Sequence, residues 1–289
     1  MRYEPLVKIA SGAMGTVYLG AARGPLGFTR RVALKRPHAH LQESPRFRAV
    51  VLAEAKAAAA IHDAHVVAVR DVSIGDDGEV TLVMDYVEGL TLSQVLSASI
   101  DGIAPFPAPL AVRVVLDAAA RLHAAHEARA EDGTPLELVH RDVSPPNLLV
   151  GVDGVTRVTD FGIAKARGAV GDATTEGTLK GKLGYMAPEY VRNLGADRRV
   201  DIFALGVVLW EALAQRRLFR GQHDADTLTQ VLTAPIPSLG EVAPAAAALE
   251  AVVRRALARA PAERFPTASA FAQALAAAAT AAGLLATRE

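Results

Sequence analysis

The sequence predicts an α+β fold in two lobes, a small antiparallel sheet with one helix followed by a larger and mainly helical lobe. Residues 1–84 read in the order β-β-β-α-β-β, with short polar or glycine-containing turns between the runs. After a short connector at 85–89, apolar residues three and four positions apart predominate in 90–289. Hydrophobic residues make up 51% of the 289 residues and charged residues 21%, which is typical of a folded chain.

β-branched runs and glycine turns predict the strands of the first lobe. A glycine turn between the first two runs predicts a hairpin. Apolar residues at three- and four-residue steps predict one helix over 45–61, with Glu54 on it. The predicted strands are 6–9, 17–19, 31–35, 66–74 and 79–87.

Helical periodicity dominates the second lobe, where three short β-rich runs carry most of the polar motifs. The predicted helices are 90–99, 110–129, 200–215, 227–232, 245–260 and 267–285. The predicted strands are 138–140, 147–150 and 155–159.

Composition excludes several classes of protein. Lys and Arg number 31, as do Asp and Glu, so the net charge of +0 argues against a globally basic nucleic-acid binder. The absence of Cys excludes a disulfide framework, a thiolate metal site and a Cys nucleophile, and it fits a reducing compartment. We therefore expect no nucleic-acid partner and a cytoplasmic location.

One uncharged stretch, 265–287, is long enough to cross a bilayer. It contains Pro266, Gln273 and Thr280, however, and most of its other residues are Ala. The start of the chain carries no apolar segment typical of a signal peptide. We expect 265–287 to form a packed terminal helix and no part of this chain to span a membrane.

Three motifs follow one another in the second lobe: His-Arg-Asp-Val-Ser-Pro-Pro-Asn at 140–147, Asp-Phe-Gly at 160–162 and Ala-Pro-Glu at 187–189. Upstream, Lys35 ends a predicted strand and Glu54 lies on the next predicted helix. In this order the motifs resemble the eukaryotic-like, bacterial-type serine/threonine protein kinase catalytic domain. The resemblance implies the bilobal protein kinase fold and one catalytic domain over 1–289, with an N-lobe at 1–84, a hinge at 85–89 and a C-lobe at 90–289.

The resemblance implies roles for five polar residues. Asp142 would orient the substrate hydroxyl and accept its proton. Lys35 would reach the α- and β-phosphates of ATP, oriented by an ion pair with Glu54. Asn147 and Asp160 would supply the oxygen ligands that Mg²⁺ prefers.

Glycines at 12 and 15 lie in a turn where backbone N–H groups could approach phosphate oxygens. A glycine pair of this kind is equally typical of an ordinary hairpin. By resemblance alone, the nucleotide would also contact apolar side chains, which could equally be plain core, and the backbone of 85–87. The implied nucleotide-binding residues are Ile9, Ala10, Gly12, Gly15, Val17, Ala33, Lys35, Met84, Asp85, Val87 and Leu149.

Three structural contacts are also implied by the resemblance. Asp201 would hydrogen-bond the backbone of the catalytic segment, and Arg264 would pair with Glu189. His140 would pack beneath Phe161.

The sequence departs from the family pattern at three positions. Ala10 replaces the first glycine of the loop, Ser144 replaces a Lys, and Lys182 replaces a Thr. The last two residue types are exchanged, so Lys182 could extend toward Asp142 and supply the missing cation, or it could be a solvated loop lysine. The charged insertion at 127–139 is typical of a surface turn.

The resemblance implies a protein serine/threonine kinase that uses ATP and Mg²⁺. Autophosphorylation between 160 and 189 is expected, with transient self-association and with Thr174, Thr175 and Thr178 as acceptors. Two alternatives stay open. A pseudokinase that binds ATP or acts as a scaffold would account for Ala10 and Ser144, and a small-molecule kinase would normally lack the motif at 187–189.

Overall fold

The computed structural model describes residues 2–12, 15–44, 49, 51, 55, 67–75, 78–130, 132–161 and 182–286. They form two compact units. The sheet unit contains the described residues of 1–88 and 128–136, and the helical unit contains those of 89–127, 137–161 and 182–286.

The sheet unit is built on five antiparallel strands in the spatial order β1-β2-β3-β5-β4. These are β1 (Arg2–Gly12), β2 (Gly15–Arg23), β3 (Thr29–Pro37), β4 (Val69–Ile74) and β5 (Val80–Asp85). The predicted antiparallel sheet and its first hairpin are therefore confirmed. A single-turn helix, α1 (Ala39–Gln42), follows β3. Within the predicted helix 45–61, the described residues 49, 51 and 55 are helical, and the other positions lie outside the described residues.

Two apolar clusters hold the sheet together. Leu34 and Val83, on adjacent strands, are 0% and 1% exposed in the first cluster. In the second, Val51 and Ala55 pack against the strand residue Leu82. Residues 51 and 55 are one helical turn apart, so the helix that carries them covers this face of the sheet.

The helical unit surrounds one helix that is buried along almost its whole length. Every residue from Val200 to Leu213 is buried, because this helix is apolar on all sides. Trp210 donates its indole N–H to the Pro237 carbonyl at 3.0 Å. The helices of the unit are α2 (Leu92–Ile100), α3 (Ala108–His126), α4 (Pro188–Val191), α5 (Arg199–Ala214), α6 (Asp224–Thr233), α7 (Leu239–Val242), α8 (Glu250–Ala256) and α9 (Ala268–Ala281). A small sheet joins β6 (Gly89–Thr91), β7 (Leu148–Gly151) and β8 (Thr156–Val158).

Two sequence-based predictions of secondary structure are corrected. The strand predicted at 138–140 is absent from this described part of the chain, because the next residue, Arg141, has a φ of 61° and the local N–H groups bind a side chain. The helix predicted at 245–260 is a 3₁₀ segment, Pro244–Leu249, followed by α8. Its predicted end fails because Ala260 precedes Pro261 and has an extended ψ of 121°.

The uncharged C-terminal stretch forms a packed helix, as predicted. Ala268, Phe271, Leu275 and Ala279 form one stripe of α9, and each is 0% exposed. Across the residues that the structure describes, no helix has both the length and the apolar character needed to cross a membrane.

The predicted pair between Arg264 and Glu189 is confirmed and is almost fully buried. Two guanidinium nitrogens each donate to a Glu189 oxygen at 2.7 Å, and Arg264 is 2% exposed. The same guanidinium also donates to the carbonyls of Ala258, Arg199 and Arg259. The pair therefore joins α4 to the chain ahead of α9.

Replacing Arg264 with Met should lower the free energy of unfolding by about 3–5 kcal/mol, because Glu189 and three carbonyls lose a buried partner. Urea unfolding followed by tryptophan fluorescence measures this change. The matched control is Arg254→Met, which removes an exposed pair with Glu250 and should cost less than about 1 kcal/mol. Equal losses in the two variants would contradict the account of the buried pair.

Candidate active site

A buried carboxylate fixes the backbone of the catalytic segment 140–147. Asp201, near the start of α5, is 1% exposed. Its oxygens accept the N–H groups of His140 at 2.9 Å and Arg141 at 2.8 Å, as predicted. The His126 imidazole lies 2.8 Å from the same carboxylate. Burial would raise the pKa of Asp201, but the hydrogen bond with His126, the charge of His126 and the amide donated by His140 lower it overall, which keeps Asp201 ionised.

A second set of contacts joins the catalytic segment to the chain before Asp160. The His140 ring packs on Phe161 with 4.6 Å between ring centroids, as predicted, and its Nε2 lies 3.1 Å from the Thr159 carbonyl. The Thr159 N–H donates to the Asn147 carbonyl at 3.0 Å. Burial lowers the pKa of the His140 imidazole, so this residue is neutral near pH 7. These contacts bring Asp160 beside the catalytic segment.

Asp142, Asn147 and Lys182 form one polar cluster. The Asn147 amide donates to the Asp142 carbonyl at 2.7 Å and to its Oδ2 at 3.0 Å. The Lys182 ammonium donates to the same Oδ2 at 2.8 Å and lies 3.5 Å from Asn147 Oδ1. Lys182 therefore extends toward Asp142 and is not a solvated loop lysine. The Ser144 hydroxyl, which is 1% exposed, donates to the Asp142 carbonyl at 3.3 Å.

Two residues beside this cluster have positive φ angles that side chains other than Gly rarely adopt. Arg141, which precedes Asp142, has a φ of 61°, and Asp160 has a φ of 57°. Such conformations persist only where neighbouring contacts hold them, here the bonds to Asp201 and Thr159. These two backbone conformations therefore set the directions of the Asp142 and Asp160 side chains.

Asn147 and Asp160 offer side-chain oxygens of the kind that a hard divalent cation binds. Asn147 uses its N–H group on Asp142, which leaves Oδ1 facing the polar cluster, and Asp160 adds a carboxylate. Mg²⁺ commonly takes one or two such protein oxygens, with phosphate and water completing its octahedron. Among the described residues no group of three or more His, Cys, Asp or Glu is placed to hold a metal ion.

In the sheet unit, strand register places four predicted nucleotide-binding residues on one face. Val17 lies opposite Lys35, and Ala33 lies opposite Met84. Ala33 and Lys35 are two residues apart on β3, so all four side chains point to the same side of the sheet. Glu54, the predicted partner of Lys35, lies outside the described residues.

The two loop glycines differ in what the fold demands of them. A Cβ on Gly15 would lie 2.2 Å from the Arg36 carbonyl, so β3 requires glycine here for packing. A Cβ on Gly12 would meet nothing within 4 Å. The close approach of two strands therefore accounts for Gly15, while no neighbouring atom requires Gly12. Ala10 pairs with Val17 at the end of β1.

The remaining predicted nucleotide residues lie on both units. Ile9 is 46% exposed on β1, and Val87 follows the end of β5. Asp85 ends β5 and accepts from Arg30 and Arg70, each at 2.6 Å, which fixes the strand end. Leu149 lies on β7 of the helical unit, opposite Thr91 and Arg157.

Sequence reasoning missed two groups of polar residues. His126 was not recognised as the partner of Asp201. Tyr185 and Arg217 were not recognised as partners of the buried Glu211, although the Tyr185 hydroxyl donates to Glu211 at 2.6 Å. His126 and Asp201 are 75 residues apart, and Tyr185 and Glu211 are 26 residues apart. No local sequence pattern links residues at such distances.

Comparison with known proteins agrees with this arrangement. Residues 3–275 match the model of the protein kinase domain. The kinase domain of Mycobacterium tuberculosis PknI has a crystal structure that superposes with a TM-score of 0.71 at 28% sequence identity, over 96% of each chain. The fold of the chain is that of a protein kinase, as predicted.

Two similar proteins are named as kinases of different specificity. Tyrosine-protein kinase MasK of Myxococcus xanthus is 40% identical over 277 residues, which cover 94% of this chain and 43% of that protein. Serine/threonine-protein kinase PknB of M. tuberculosis is 33% identical over 273 residues, which cover 93% of this chain and 41% of that protein. The chain thus spans less than half the length of these two relatives. With the match over 3–275, the chain belongs to the protein kinase domain family.

Proposed function

We propose that this domain transfers the γ-phosphoryl group of Mg-ATP to Ser and Thr hydroxyls of protein substrates. The observation that carries the proposal is the Asp142 carboxylate, which contacts the Asn147 amide at 3.0 Å and the Lys182 ammonium at 2.8 Å. The Asp142 side chain is 14% exposed. It would orient the attacking hydroxyl and accept its proton.

Lys182 supplies positive charge at the Asp142 carboxylate. In the family pattern, this charge comes from a Lys at the position of Ser144. Because it already lies against Asp142 and near Asn147, the ammonium can stabilise negative charge on the transferring phosphoryl group without reorganising. Ser144 cannot supply charge, and its hydroxyl stabilises the local backbone.

Asn147 Oδ1 and the Asp160 carboxylate would hold Mg²⁺. When bound, the metal neutralises charge on the phosphate oxygens. In the sheet unit, Lys35 would position the α- and β-phosphates from the face that it shares with Val17, Ala33 and Met84. The sheet-unit residues Ile9, Ala10, Gly12, Gly15, Asp85 and Val87 would also contact the nucleotide, and Leu149 of the helical unit stays a predicted contact.

We assign Ser and Thr specificity from the name of the similar protein PknB, serine/threonine-protein kinase. The sequence Met-Ala-Pro-Glu at 186–189 also resembles the Ser/Thr kinases more than the Tyr kinases. MasK, named as a tyrosine kinase, makes a tyrosine peptide the necessary comparison. Autophosphorylation would fall on Thr174, Thr175 or Thr178, which lie outside the described residues. Mass spectrometry after incubation with ATP tests this, and it identifies the acceptor residue type at the same time.

Asp142→Asn should abolish most phosphoryl transfer to a generic protein substrate while retaining ATP binding, because it removes the proton acceptor. Lys35→Ala should also abolish most transfer and leave the fold intact, because it removes phosphate positioning. Radiolabelled γ-phosphate ATP measures transfer, and a fluorescent ATP analogue measures binding. Asp101→Asn, an exposed loop position, is the matched control. A near-normal kcat in either variant would contradict the proposed role of that residue. A wild-type protein that binds ATP without transferring phosphate would favour the pseudokinase alternative.

Lys182→Met should lower kcat by about a hundred- to a thousandfold, by analogy with the loss of other preorganised charges, and raise the KM for ATP much less. Steady-state kinetics over ATP concentration separates the two constants. Lys182→Arg should recover part of the loss because it keeps the charge, and Lys8→Met on exposed β1 is the matched control. A kcat within about threefold of wild type, less than about 0.7 kcal/mol, would show that Lys182 is not catalytic.

A further inference from the structure

A cationic cavity lies beside the catalytic segment in the helical unit. It has a volume of about 510 Å³, and Ser97 and Ile100 of α2 line one side. Arg216, Arg217 and Arg220, from the chain between α5 and α6, line the other side. Pro145 of the catalytic segment also lines it.

The one carboxylate in this lining is already neutralised. Glu211 is 4% exposed and accepts the Tyr185 hydroxyl at 2.6 Å, the Leu218 N–H at 3.0 Å and the Arg217 guanidinium at 3.1 Å. Burial, and to a lesser extent the charge of Arg220, lowers the pKa of Arg217. Burial also raises the pKa of Glu211 to about 8, so this carboxyl carries little negative charge near pH 7 and offers no counter-charge to Arg216 and Arg220.

Arg216 and Arg220 are held in place but not neutralised. Among the described residues, no carboxylate pairs with either guanidinium. Arg216 lies over the Trp210 ring, 5.5 Å from its centroid. The Gln230 side chain accepts the backbone N–H of Arg220 at 2.8 Å and donates to the backbone carbonyl of Arg220 at 3.2 Å. These bonds fix the Arg220 backbone and do not involve its guanidinium group. Both positive groups are free to bind an anion from outside.

The cavity lies within reach of a peptide bound at Asp142. Pro145 is three residues from Asp142, so their Cα atoms are at most about 11 Å apart. An extended peptide advances about 3.3–3.6 Å per residue. If the hydroxyl of the phosphoacceptor residue lies at Asp142, a peptide residue about three or four positions from it can reach the cavity. A second cavity, of about 290 Å³, shares Glu211, Arg217 and Arg220 and reaches Leu183, which follows Lys182. Arg217 and Arg220 therefore line both cavities, and Asp224 also lines the second one.

We propose that Arg216 and Arg220 form a specificity subsite for an anionic side chain of the peptide substrate, within about four residues of the phosphoacceptor. Guanidinium groups bind carboxylate and phosphate in a bidentate geometry, so Asp, Glu and a phosphorylated residue share the required chemistry. The subsite rests on the proposed function, because it selects among substrates of that reaction.

Binding of labelled Ser peptides, measured by fluorescence anisotropy, tests the subsite without requiring catalysis. Each set of peptides differs at one position near the Ser, where it carries Asp, Asn or phosphoserine. The wild-type protein should bind the anionic members more tightly than the Asn member at one position or more, and the difference should shrink between about 0.05 M and about 0.5 M salt. The Asp and phosphoserine arms distinguish an acidic from a previously phosphorylated substrate.

Arg220→Gln and Arg216→Gln should each reduce the preference for the anionic peptides by about threefold to tenfold. Arg220→Lys should keep part of the preference, and Arg192→Gln, an exposed arginine outside both cavities, should keep all of it. Equal binding of Asp and Asn peptides by the wild-type protein, or a preference that survives both Gln variants, would overturn the subsite.

Transfer assays on the same peptides separate this inference from the proposed function. Phosphorylation of anionic and neutral peptides with equal kcat/KM, together with equal binding, would remove the subsite and leave the kinase. Selective binding of anionic peptides without any transfer would leave the subsite as a binding site and contradict the proposed kinase reaction.

Discussion

The site depends on one buried carboxylate, Asp201. Its oxygens accept two consecutive backbone N–H groups, those of His140 and Arg141, and contact the His126 imidazole. An ionised carboxylate buried among apolar side chains is costly unless every such partner is present, so it fixes the position of the segment it binds. That segment accepts a φ of 61° at Arg141, which directs the next side chain, Asp142, into the polar cluster. The rigid helix α5 thereby sets the geometry of a loop.

The chemistry follows from charge held in that fixed geometry. Lys182 approaches Asp142 from a different segment of the chain, yet its ammonium contacts the carboxylate at 2.8 Å. In the proposed reaction, a cation is needed near this carboxylate, and the position in the chain from which it extends matters less. The same unit places further positive charge at Arg216 and Arg220, where the lining provides no matching carboxylate beyond the buried Glu211. In the two proposals, Lys182 acts on the reacting atoms, and the two arginines bind another part of the substrate.

Sequence predicted the parts of this structure that local patterns or motifs encode. Alternation and turns gave the sheet, and motif order gave the contacts of Asp201 and of the Arg264–Glu189 pair. The strand expected at 138–140 failed because the N–H of His140, its last residue, binds a carboxylate 61 residues away, which periodicity cannot detect. His126 and the Tyr185–Glu211 contact were missed for the same reason, since tertiary packing alone brings these residues together. The Lys35–Glu54 pair stays a prediction.

The most direct test of the central claim is kcat for Asp201→Asn, measured at a temperature where fluorescence of the single tryptophan, Trp210, shows a native core. The side-chain amide of this variant has one acceptor oxygen in place of the two of Asp201, so the N–H groups of His140 and Arg141 lose one partner. We expect the catalytic segment to shift as a result. A displacement of about 1 Å can cost about a hundredfold in rate, and we predict a fall of at least that size with a nearly unchanged KM for ATP. A folded variant with kcat within about threefold of wild type would contradict the account.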